Sequence, residues 1–537
     1  MCGIIGVVCN RRCSEVLSKP LGTVVKEALL NLEYRGYDSV GFAIVDEEGK
    51  IIIKKSRGKI HDVERMLGFD EYDGSAAIGH TRWATHGEPS DSNAHPHTDC
   101  LYSVAVVHNG IIHNHHELKR KLIEKGHLFK SETDSEIVPH LIEELMKEGC
   151  STLEAIRCTA KILRGAYALA IIVRREPAKI YFIRNVSPLI IGVSKDSIFI
   201  ASDIPAFLKY TSRIIILEDG DFGYASFDSI YIENIYSGEV DWRKRVRIVD
   251  WTPEMAVKGG FPHFMLKEIH EQPVSLRNTI ESLGAEVTSV AKMLISANRI
   301  FLTGCGTSFH AALIGEYMLS TLCGLPAISF VSSEYLRFRK IFTEGDILVA
   351  VSQSGETIDT LMAVREAKRR GAKVVAIANV LDSAIPRESD ATIYTRAGPE
   401  IGVAATKTFT SQLLVFTILA TEVAKLHSAE DLRVVDAIRG ELREIHTIIS
   451  GIIYSCEPRI RRFAEKIKDR RSAFYLGRGI GVPISMEGAL KLKEVAYIHA
   501  EAYPAGESKH GPIALVEEGF PTFFTIFNDE YREQILG

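Results

Sequence analysis

Short apolar runs with many β-branched and aromatic residues recur along the first 220 residues. Runs of this length and composition predict β-strands. The predicted strands are residues 4–8, 40–45, 51–54, 102–107, 167–173, 180–183 and 198–201. Apolar positions three or four apart predict helices at 26–32 and 135–147. This mixture predicts two packed sheets with helices outside them.

The pattern changes from residue 285 to strand–turn–helix units. An apolar run at 299–303 leads into Gly-Cys-Gly-Thr-Ser at 304–308, and a run at 346–351 leads into Ser-Gln-Ser-Gly-Glu-Thr at 352–357. The further predicted elements are strands at 373–378 and 391–395 and a long helix from Thr408. Such alternation predicts a parallel sheet that is covered on both faces.

A strand and glycine turn at 472–479 repeats the pattern at 299–306, which indicates a second copy of the α/β unit. The predicted fold class is therefore multidomain α/β, with a two-sheet domain followed by two related parallel-sheet domains. The predicted divisions are 2–220 for the first domain, 221–284 for a linker and connecting helix, 285–430 for the first α/β copy, 431–459 for a connecting helix and 460–537 for the second copy. Because the second copy is the shorter of the two, we expect it to be incomplete.

The composition is that of an ordinary globular protein, with 46% hydrophobic and 25% charged residues among 537. Lys and Arg number 64 against 69 Asp and Glu, a net charge of −5, and no long basic run predicts nucleic acid or an anionic membrane as a partner. No apolar run approaches the roughly 18 residues of a membrane span, and the N-terminus lacks the basic lead of a signal peptide. Nine cysteines without a Cys-x-x-Cys pair indicate a reducing compartment, so we expect a cytoplasmic location.

Cys2 follows the initiator methionine at the head of an apolar run. Removal of Met1 would expose an α-amino group with a reference pKa of about 7.7–8.0, which can take the thiol proton. Cys2 is therefore a candidate N-terminal nucleophile. A single cysteine at this position is more often incidental, so the hypothesis depends on the segments that follow.

Six segments in the first 134 residues support it. They are MCGIIGVV at 1–8, EYRGYDS at 33–39, GHTRWATHG at 79–87, NAHPH at 93–97, VHNGI at 107–111 and SETD at 131–134. In this order they resemble the class II glutamine amidotransferases, which use an N-terminal nucleophile. The resemblance implies an α/β/β/α sandwich and hydrolysis of L-glutamine.

The resemblance also implies a role for each matching residue. Cys2 would be the nucleophile, and the Asn109 side chain and Gly110 backbone N–H would form the oxyanion hole. Arg82 would bind the α-carboxylate of glutamine, because a guanidinium matches a planar carboxylate, and Asp134 would bind its α-ammonium group. The remaining implied residues are Trp83 as the gate of an ammonia channel and Thr85 and His86 as pocket lining.

Ten of the 18 histidines lie between residues 80 and 140, which raises the question of a zinc site. The run His113-Asn-His115-His116 does not place three ligands around a tetrahedral ion on a strand or a helix. We therefore favour pocket and surface roles for these residues and for His95 and His97, and we predict no metal.

The segment Ser352-Gln-Ser-Gly-Glu-Thr357 is a candidate phosphate site, because hydroxyl and backbone N–H donors would stand at a helix N-terminus. It matches neither a Walker loop nor a dinucleotide fingerprint. A simple helix cap is the alternative. The turn at 304–308 favours a ligand, because both loops would lie beyond the carboxyl ends of parallel strands.

Residues 487–512 supply acid–base groups within a short stretch. Lys491 and Glu494 are three residues apart on a helix predicted to open at Glu487, a spacing that usually gives an exposed ion pair. Moving a proton between adjacent sugar carbons needs a carboxylate-type base, and ring opening needs a second group such as His510.

Together these segments resemble the isomerising glutamine–fructose-6-phosphate aminotransferase family, whose second half consists of two SIS (sugar isomerase) domains. The resemblance implies transfer of ammonia from L-glutamine to fructose 6-phosphate, isomerisation to glucosamine 6-phosphate, no cofactor, and a homodimer that shares the isomerase site. The implied sugar-site residues are Ser352, Gln353, Ser354 and Thr357 for the phosphate, Thr307 and Ser308 for the sugar, Glu494 for the C1/C2 proton, Lys491 beside it, and His510 of the partner subunit for ring opening.

The sequence departs from the family pattern twice. It reads Gly402-Val-Ala-Ala-Thr406 where the family has a serine after Gly-Val-Ala, and neither Lys491 nor Lys509 stands where the family's C-terminal tail carries its Schiff-base lysine. Two alternatives therefore stay open. One is a glutaminase whose sugar-phosphate module is synthetically inactive because the tail is missing, and the other is a sugar-phosphate sensor with an inert Cys2.

Overall fold

The computed structural model describes residues 2–46, 48–83, 87–249, 251–252, 258–427 and 432–537. The chain divides into two compact units, Met1–Val257 and Lys258–Gly537. Each unit has its own sheets and its own core.

The first unit contains two antiparallel sheets. Its strands are β1 (Gly3–Cys9), β2 (Ser39–Val45), β3 (Ile51–Arg57), β4 (Ala76–Arg82), β5 (His97–Thr98), β6 (Val104–Ile112), β7 (Gly165–Val173), β8 (Ile180–Asn185), β9 (Ile190–Val193), β10 (Ser197–Ala201), β11 (Arg213–Ile216), β12 (Asp221–Ala225), β13 (Ile230–Asn234), β14 (Gly238–Glu239) and β15 (Val246–Ile248). The first sheet has the order β15-β11-β9-β10-β1-β4-β2-β3, and the second has the order β14-β13-β12-β8-β7-β6-β5.

Helices cover the outer faces of both sheets. They are α1 (Cys13–Leu17), α2 (Leu21–Asn31), α3 (Ile60–Leu67), α4 (His115–Glu124), α5 (Ile137–Lys147) and α6 (Thr152–Ile162). α2 packs on β1 and β4, whereas α5 packs on β6 and α6 on β8 and β12. Between the sheets, Ile4 and Val8 share a core with Ala168 and Phe182. This α/β/β/α sandwich confirms the fold class that the sequence predicts for the first part of the chain.

Some details differ from the predictions. The sequence pattern does not predict α1, α3, α4 or α6, and α4 gives little apolar signal because it buries only Leu118 and Leu122. β6 begins at Val104 because the Asp99 carboxylate accepts hydrogen bonds from the backbone N–H groups of Ser103 and Val104, at 2.7 and 2.9 Å. The second sheet also continues past residue 220, because β12 pairs with both β8 and β13.

The second unit opens with a parallel five-stranded sheet in the order β17-β16-β18-β19-β20. Its strands are β16 (Ile300–Gly304), β17 (Ala327–Val331), β18 (Ile347–Ser352), β19 (Lys373–Ala378) and β20 (Ala391–Tyr394), and its helices are α7 (Phe264–Ser282), α8 (Ala285–Ile295), α9 (Thr307–Thr321), α10 (Ile358–Arg369), α11 (Ala384–Glu388) and α12 (Lys407–His427). Residues of α8, α9 and α12 share a core with one face, and residues of α10 and α11 with the other. The predicted parallel sheet with two covered faces is confirmed.

A smaller parallel sheet follows, in the order β22-β21-β23. Its strands are β21 (Ser472–Gly477), β22 (His499–Pro504) and β23 (Thr522–Thr525), and the helices of this part are α13 (Leu432–Arg443), α14 (Ile445–Ile467), α15 (Gly481–Ala496) and α16 (Arg532–Leu536). α15 begins at Gly481, so Glu487 lies inside the helix and does not open it. Among the described helices, α12 alone is long and apolar enough to cross a membrane, and most of its apolar window is buried in the core.

Leu302 lies fully buried on β16. We expect Leu302→Ala to lower the free energy of unfolding of the second unit by about 2–5 kcal/mol, because the cavity adds to the lost apolar burial. Leu336→Ala is the control, since that side chain is 55% exposed and its loss should change stability by less than about 0.5 kcal/mol. Urea unfolding measures both, and equal destabilisation would contradict the described core.

Candidate active sites

Cys2 stands at the head of β1, which pairs with β4 and β10 on its two sides. Its sulfur accepts a hydrogen bond from the Trp83 N–H at 3.2 Å, and its carbonyl oxygen accepts one from Asn109 Nδ2 at 2.7 Å. Burial raises the pKa of the Cys2 thiol, and the Trp83 N–H and the charges of Arg82 and Arg35 offset part of this rise. The site therefore holds a fixed thiol that needs a base to become a nucleophile.

Asn109 and Gly110 lie on β6, and a buried histidine orients the asparagine amide. His80 Nε2 lies 2.9 Å from the His108 carbonyl oxygen and 3.1 Å from Asn109 Oδ1, so it donates to both. Burial lowers the pKa of His80 to about 3, which keeps the ring neutral. Because Oδ1 accepts from His80, Nδ2 must face Cys2. Sequence reasoning missed His80, although it stands in the quoted segment 79–87.

Gly110 has a φ of +116°, a conformation that other residues rarely adopt. A Cβ atom there would lie 2.0 Å from the Ala166 carbonyl oxygen on β7. Both facts make glycine a requirement at this position.

Arg82 and Asp134 are buried charged residues of the predicted glutamine pocket. Arg82 ends β4, is 3% exposed, and donates from Nη2 to the Gly87 carbonyl oxygen at 3.1 Å. Burial lowers the pKa of Arg82, and the charges of Cys2, Asp38 and Asp134 act in the opposite direction. Asp134 is buried and accepts from the Ile112 N–H at 2.8 Å. The structure thus brings Arg82 close enough to interact electrostatically with both Cys2 and Asp134.

Trp83 is 41% exposed, with its ring edge-on to Tyr37 at 5.3 Å. Thr85 and His86, the other predicted lining residues, lie outside the described residues.

The other histidines of this unit separate into buried and surface groups. The rings of His80 and His95 stack at 4.2 Å, and His97 stands edge-on to His95 at 4.5 Å. Burial lowers the pKa values of His95 and His97 well below the usual value. In contrast, His113 and His116 are exposed.

In the second unit, the loop after β18 has the hydrogen bonds of an ordered turn. Ser352 Oγ lies 3.0 Å from Thr357 Oγ1 and accepts from the Gly355 N–H at 3.0 Å, while Ser354 Oγ accepts from the Glu356 N–H at 3.2 Å. Gly355 has a φ of +65°, and a Cβ atom there would lie 1.8 Å from the Ser383 hydroxyl. Gln353 is half-buried in the same loop, directly before α10.

A cluster of charged and polar side chains, which we call the Glu487 cluster, joins the N-terminus of α9 to the middle of α15. Glu487 accepts from Thr307 Oγ1 at 2.9 Å and lies 2.7 Å from His310 Nδ1. Lys491 Nζ donates to Thr307 Oγ1 at 3.1 Å and lies 3.2 Å from Glu487 and 2.7 Å from Glu494. Burial raises the pKa of Glu487, but His310, Lys491 and Thr307 outweigh it and hold the pKa below its usual value.

The cluster unites three predicted residues, Thr307, Lys491 and Glu494, with two that sequence reasoning left without a role, Glu487 and His310. Their contacts join segments almost 180 positions apart, which no local spacing reveals.

The two remaining predicted sugar-site residues lie apart from these bonds. Ser308 Oγ accepts from Gln412 Nε2 at 3.2 Å. His510 is exposed at the end of the turn Glu507–His510, and no hydrogen bond or ion pair within the described part of the chain joins it to the Glu487 cluster.

Comparisons with known proteins identify two kinds of domain. A family model described as a glutamine amidotransferase domain matches residues 80–209, and one described as a SIS domain matches residues 293–422 and 466–537. The isomerising glutamine–fructose-6-phosphate aminotransferase of Pyrobaculum aerophilum is 48% identical over 100% of this chain and 87% of that protein. That of Pyrococcus horikoshii is 48% identical over 97% of this chain and 85% of that protein. The solved C-terminal domain of glucosamine-fructose-6-phosphate aminotransferase from Francisella tularensis is 39% identical, with a TM-score of 0.49 over 52% of this chain and 80% of that chain.

The buried histidines predict a stability that depends on pH. Because the folded-state pKa values of His80, His95 and His97 lie below the unfolded value of about 6.5, the unfolded chain binds more protons as the pH falls. The first unit should lose stability from about pH 6.5 toward about pH 3, with each histidine contributing up to about 1.4 kcal/mol per pH unit.

Urea unfolding between about pH 7 and pH 5 tests this dependence. His95→Gln should flatten the pH dependence relative to the unsubstituted chain, whereas His113→Gln, at an exposed site, should leave it unchanged. An unaltered slope in His95→Gln would contradict a histidine kept neutral by burial.

Proposed function

The chain belongs to the isomerising glutamine–fructose-6-phosphate aminotransferase family, and we propose that its two units divide the reaction between them. The enzyme hydrolyses L-glutamine and transfers the released ammonia to fructose 6-phosphate, which is isomerised to glucosamine 6-phosphate. We assign glutamine hydrolysis to the first unit and the sugar chemistry to the second. Identity of 48% over 87% and 85% of the length of the two aminotransferases supports the complete reaction over a glutaminase with an inactive sugar module or a sensor.

The observation that carries the proposal is the position of Cys2 between the Asn109 amide and the Trp83 N–H. After removal of Met1, the α-amino group of Cys2 takes the thiol proton, directly or through water. The thiolate forms a bond to the glutamine amide carbon, and the C–N bond breaks as the nitrogen gains a proton and leaves as ammonia. Water then hydrolyses the thioester to glutamate and restores the thiol.

The negative charge that develops on the amide oxygen needs donors already in place. Asn109 Nδ2 carries two N–H bonds, of which one donates to the Cys2 carbonyl oxygen. We propose that the second N–H and the Gly110 backbone N–H bind the oxyanion. The neutral His80 ring is then a positioning residue, because it holds Asn109 Oδ1 and aims Nδ2 at the nucleophile.

Substrate recognition in the first unit rests on opposite charges. Arg82 binds the α-carboxylate of glutamine and Asp134 its α-ammonium group, and burial strengthens both interactions. Trp83, Thr85 and His86 complete the pocket in this proposal, the last two from the sequence alone.

In the second unit, Ser352, Gln353, Ser354 and Thr357 bind the sugar phosphate at the N-terminus of α10, where the helix dipole favours an anion. Thr307 and Ser308, in the first turn of α9, contact the sugar. These loops follow β18 and β16, at the carboxyl edge of a parallel sheet, which is the usual ligand-binding edge of this architecture.

Glu494 moves the proton between C1 and C2, with Lys491 as the neighbouring cation that keeps its carboxylate in place. Glu487 holds Lys491 and Thr307 from the buried side. We assign ring opening to His510 of the partner subunit in a cytoplasmic homodimer. The position of this histidine, exposed and outside the Glu487 cluster, agrees with a role in the site of a neighbouring subunit.

Replacing the nucleophile tests the first half. We expect Cys2→Ala to lower glutamate release by at least about a thousandfold, because no other group replaces the thiolate, and to abolish glutamine-dependent formation of glucosamine 6-phosphate. Cys150→Ala, a half-buried cysteine outside the site, should keep both activities. An assay of glutamate and glucosamine 6-phosphate measures both, and glutamate release that persists in Cys2→Ala would refute this nucleophile.

Glu487→Gln tests the second half. The amide cannot form the ion pair with Lys491, so we expect formation of glucosamine 6-phosphate to fall by about a hundredfold through misplacement of Thr307 and Lys491. Glutamate release without sugar phosphate should stay unchanged. Glu465→Gln, an exposed pair partner of Lys468, is the matched control, and normal amino-sugar formation in Glu487→Gln would rule out this supporting role.

A further inference from the structure

A second cluster of metal-binding side chains lies in the first unit, among residues to which the proposed reaction gives no role. It consists of Cys100, His127, His140 and Glu143, whose ligand atoms all lie within 4.8 Å of one another. Cys100 is in the turn between β5 and β6, His127 follows α4, and His140 and Glu143 are one turn apart on α5. We call this set the Cys100 cluster.

The five distances that involve a histidine Nδ1 run from 3.1 to 4.0 Å, close to the edges of a tetrahedron around zinc. The two Nδ1 atoms of His127 and His140 are 3.1 Å apart, and they lie 3.3 and 3.8 Å from Glu143 Oε2. Cys100 Sγ lies 4.0 Å from His127 Nδ1 and 3.6 Å from His140 Nδ1. Zinc bonds of about 2.0–2.3 Å in tetrahedral geometry give edges of about 3.3–3.7 Å.

A carboxylate behind His127 fixes which nitrogen of that ring faces inward. His127 Nε2 lies 3.1 Å from Glu144 Oε2, so the N–H stands on Nε2 and the Nδ1 lone pair is left for a cation. His140 Nε2 lies 3.8 Å from Glu136 Oε1, beyond hydrogen-bond distance, so the nearby carboxylate supports this ring by charge alone. Carboxylate–histidine–metal arrangements of this kind are the usual support of zinc ligands.

The charges of the cluster also suit a divalent ion. With zinc bound, a Cys100 thiolate and the Glu143 carboxylate would supply two negative charges in a mostly buried place. Lys147 pairs with the other Glu143 oxygen at 2.7 Å, which leaves Oε2 as the ligand atom of this carboxylate. The Leu128 N–H lies 3.4 Å from Cys100 Sγ and donates a hydrogen bond that would stabilise a thiolate.

We propose that the Cys100 cluster binds one zinc ion as a structural site. Four protein ligands fill a tetrahedral shell and leave no open position for substrate, which distinguishes it from a catalytic zinc site. Zinc binding displaces the Cys100 thiol proton to solvent, so one proton is released per ion from the neutral thiol. Thiolate and imidazole ligands favour zinc over magnesium or calcium.

The position of the site suggests what it stabilises. One ion would connect three elements, namely the β5–β6 turn, the segment that follows α4, and α5. His127 and His140 lie on either side of the segment that carries Asp134. Zinc would thus hold both ends of the loop that faces the glutamine pocket, without touching the substrate.

Zinc content measured by mass spectrometry tests the proposal on the full chain after incubation with zinc chloride and gel filtration. We expect about one zinc per chain, and a thiolate-to-metal charge-transfer band when cobalt(II) replaces zinc. Cys100→Ser with His140→Ala should lose both signals, whereas Cys150→Ser with His113→Ala should keep them. Retention of zinc in the first double variant, or a chain that binds none, would overturn the site.

A second variant leaves all four ligands in place and so separates lost binding from lost folding. Glu144→Ala removes the carboxylate behind His127 together with its pair to Lys125, and we expect zinc affinity to fall by about 10–100-fold in a competition titration with a chromophoric chelator. Removal of zinc by that chelator should lower the Tm of the unsubstituted chain. An unchanged affinity in Glu144→Ala would contradict zinc ligation by His127 Nδ1, and an unchanged Tm after zinc removal would contradict a structural role for the ion.

Discussion

The hydrogen-bonded position of β1, between β10 and β4, determines where Cys2, the proposed nucleophile, lies. The register pairs Gly3 with Thr81, so the residue before β1 lies beside the end of β4, where Arg82 and Trp83 stand. A Cβ atom on Gly3 would lie 2.6 Å from the Thr81 hydroxyl, which shows how closely these strands approach. From the neighbouring sheet, Asn109 completes the arrangement. The sandwich holds the residues at the head of β1 in place, because this strand is hydrogen-bonded on both edges.

In the second unit, a parallel sheet positions the polar loops. Here the carboxyl ends of β16 and β18 lead directly into α9 and α10, so polar turns collect at one edge. The Glu487 cluster then joins that edge to α15 through a buried carboxylate with three partners. Removing one partner from such a network lowers stability more than breaking a surface ion pair does, because the remaining charge is left buried without an opposite charge.

Much of this was predictable where the signal is local. Strand runs and glycine turns predict both kinds of sheet, and the family resemblance carried by segments such as 79–87 implies one pocket for Cys2, Arg82 and Asn109. The rest depends on contacts between distant segments. His310 and Glu487 come into contact only in the folded chain. The Cys100 cluster combines residues of the β5–β6 turn, of the segment that follows α4, and of α5. The sequence spacing pointed instead to His113, His115 and His116. Polar helices such as α4 were missed because packing, and not their apolar pattern, stabilises them.

We propose that nitrogen released at Cys2 reaches the sugar bound in the second unit. To test this transfer, amide-15N-labelled glutamine and fructose 6-phosphate are supplied in the presence of excess unlabelled ammonium, and glucosamine 6-phosphate is analysed by mass spectrometry. If the two units are coupled, most of the glucosamine 6-phosphate should carry 15N. Glutamate accompanied by labelled free ammonium, with unlabelled amino sugar or none, would contradict the claim.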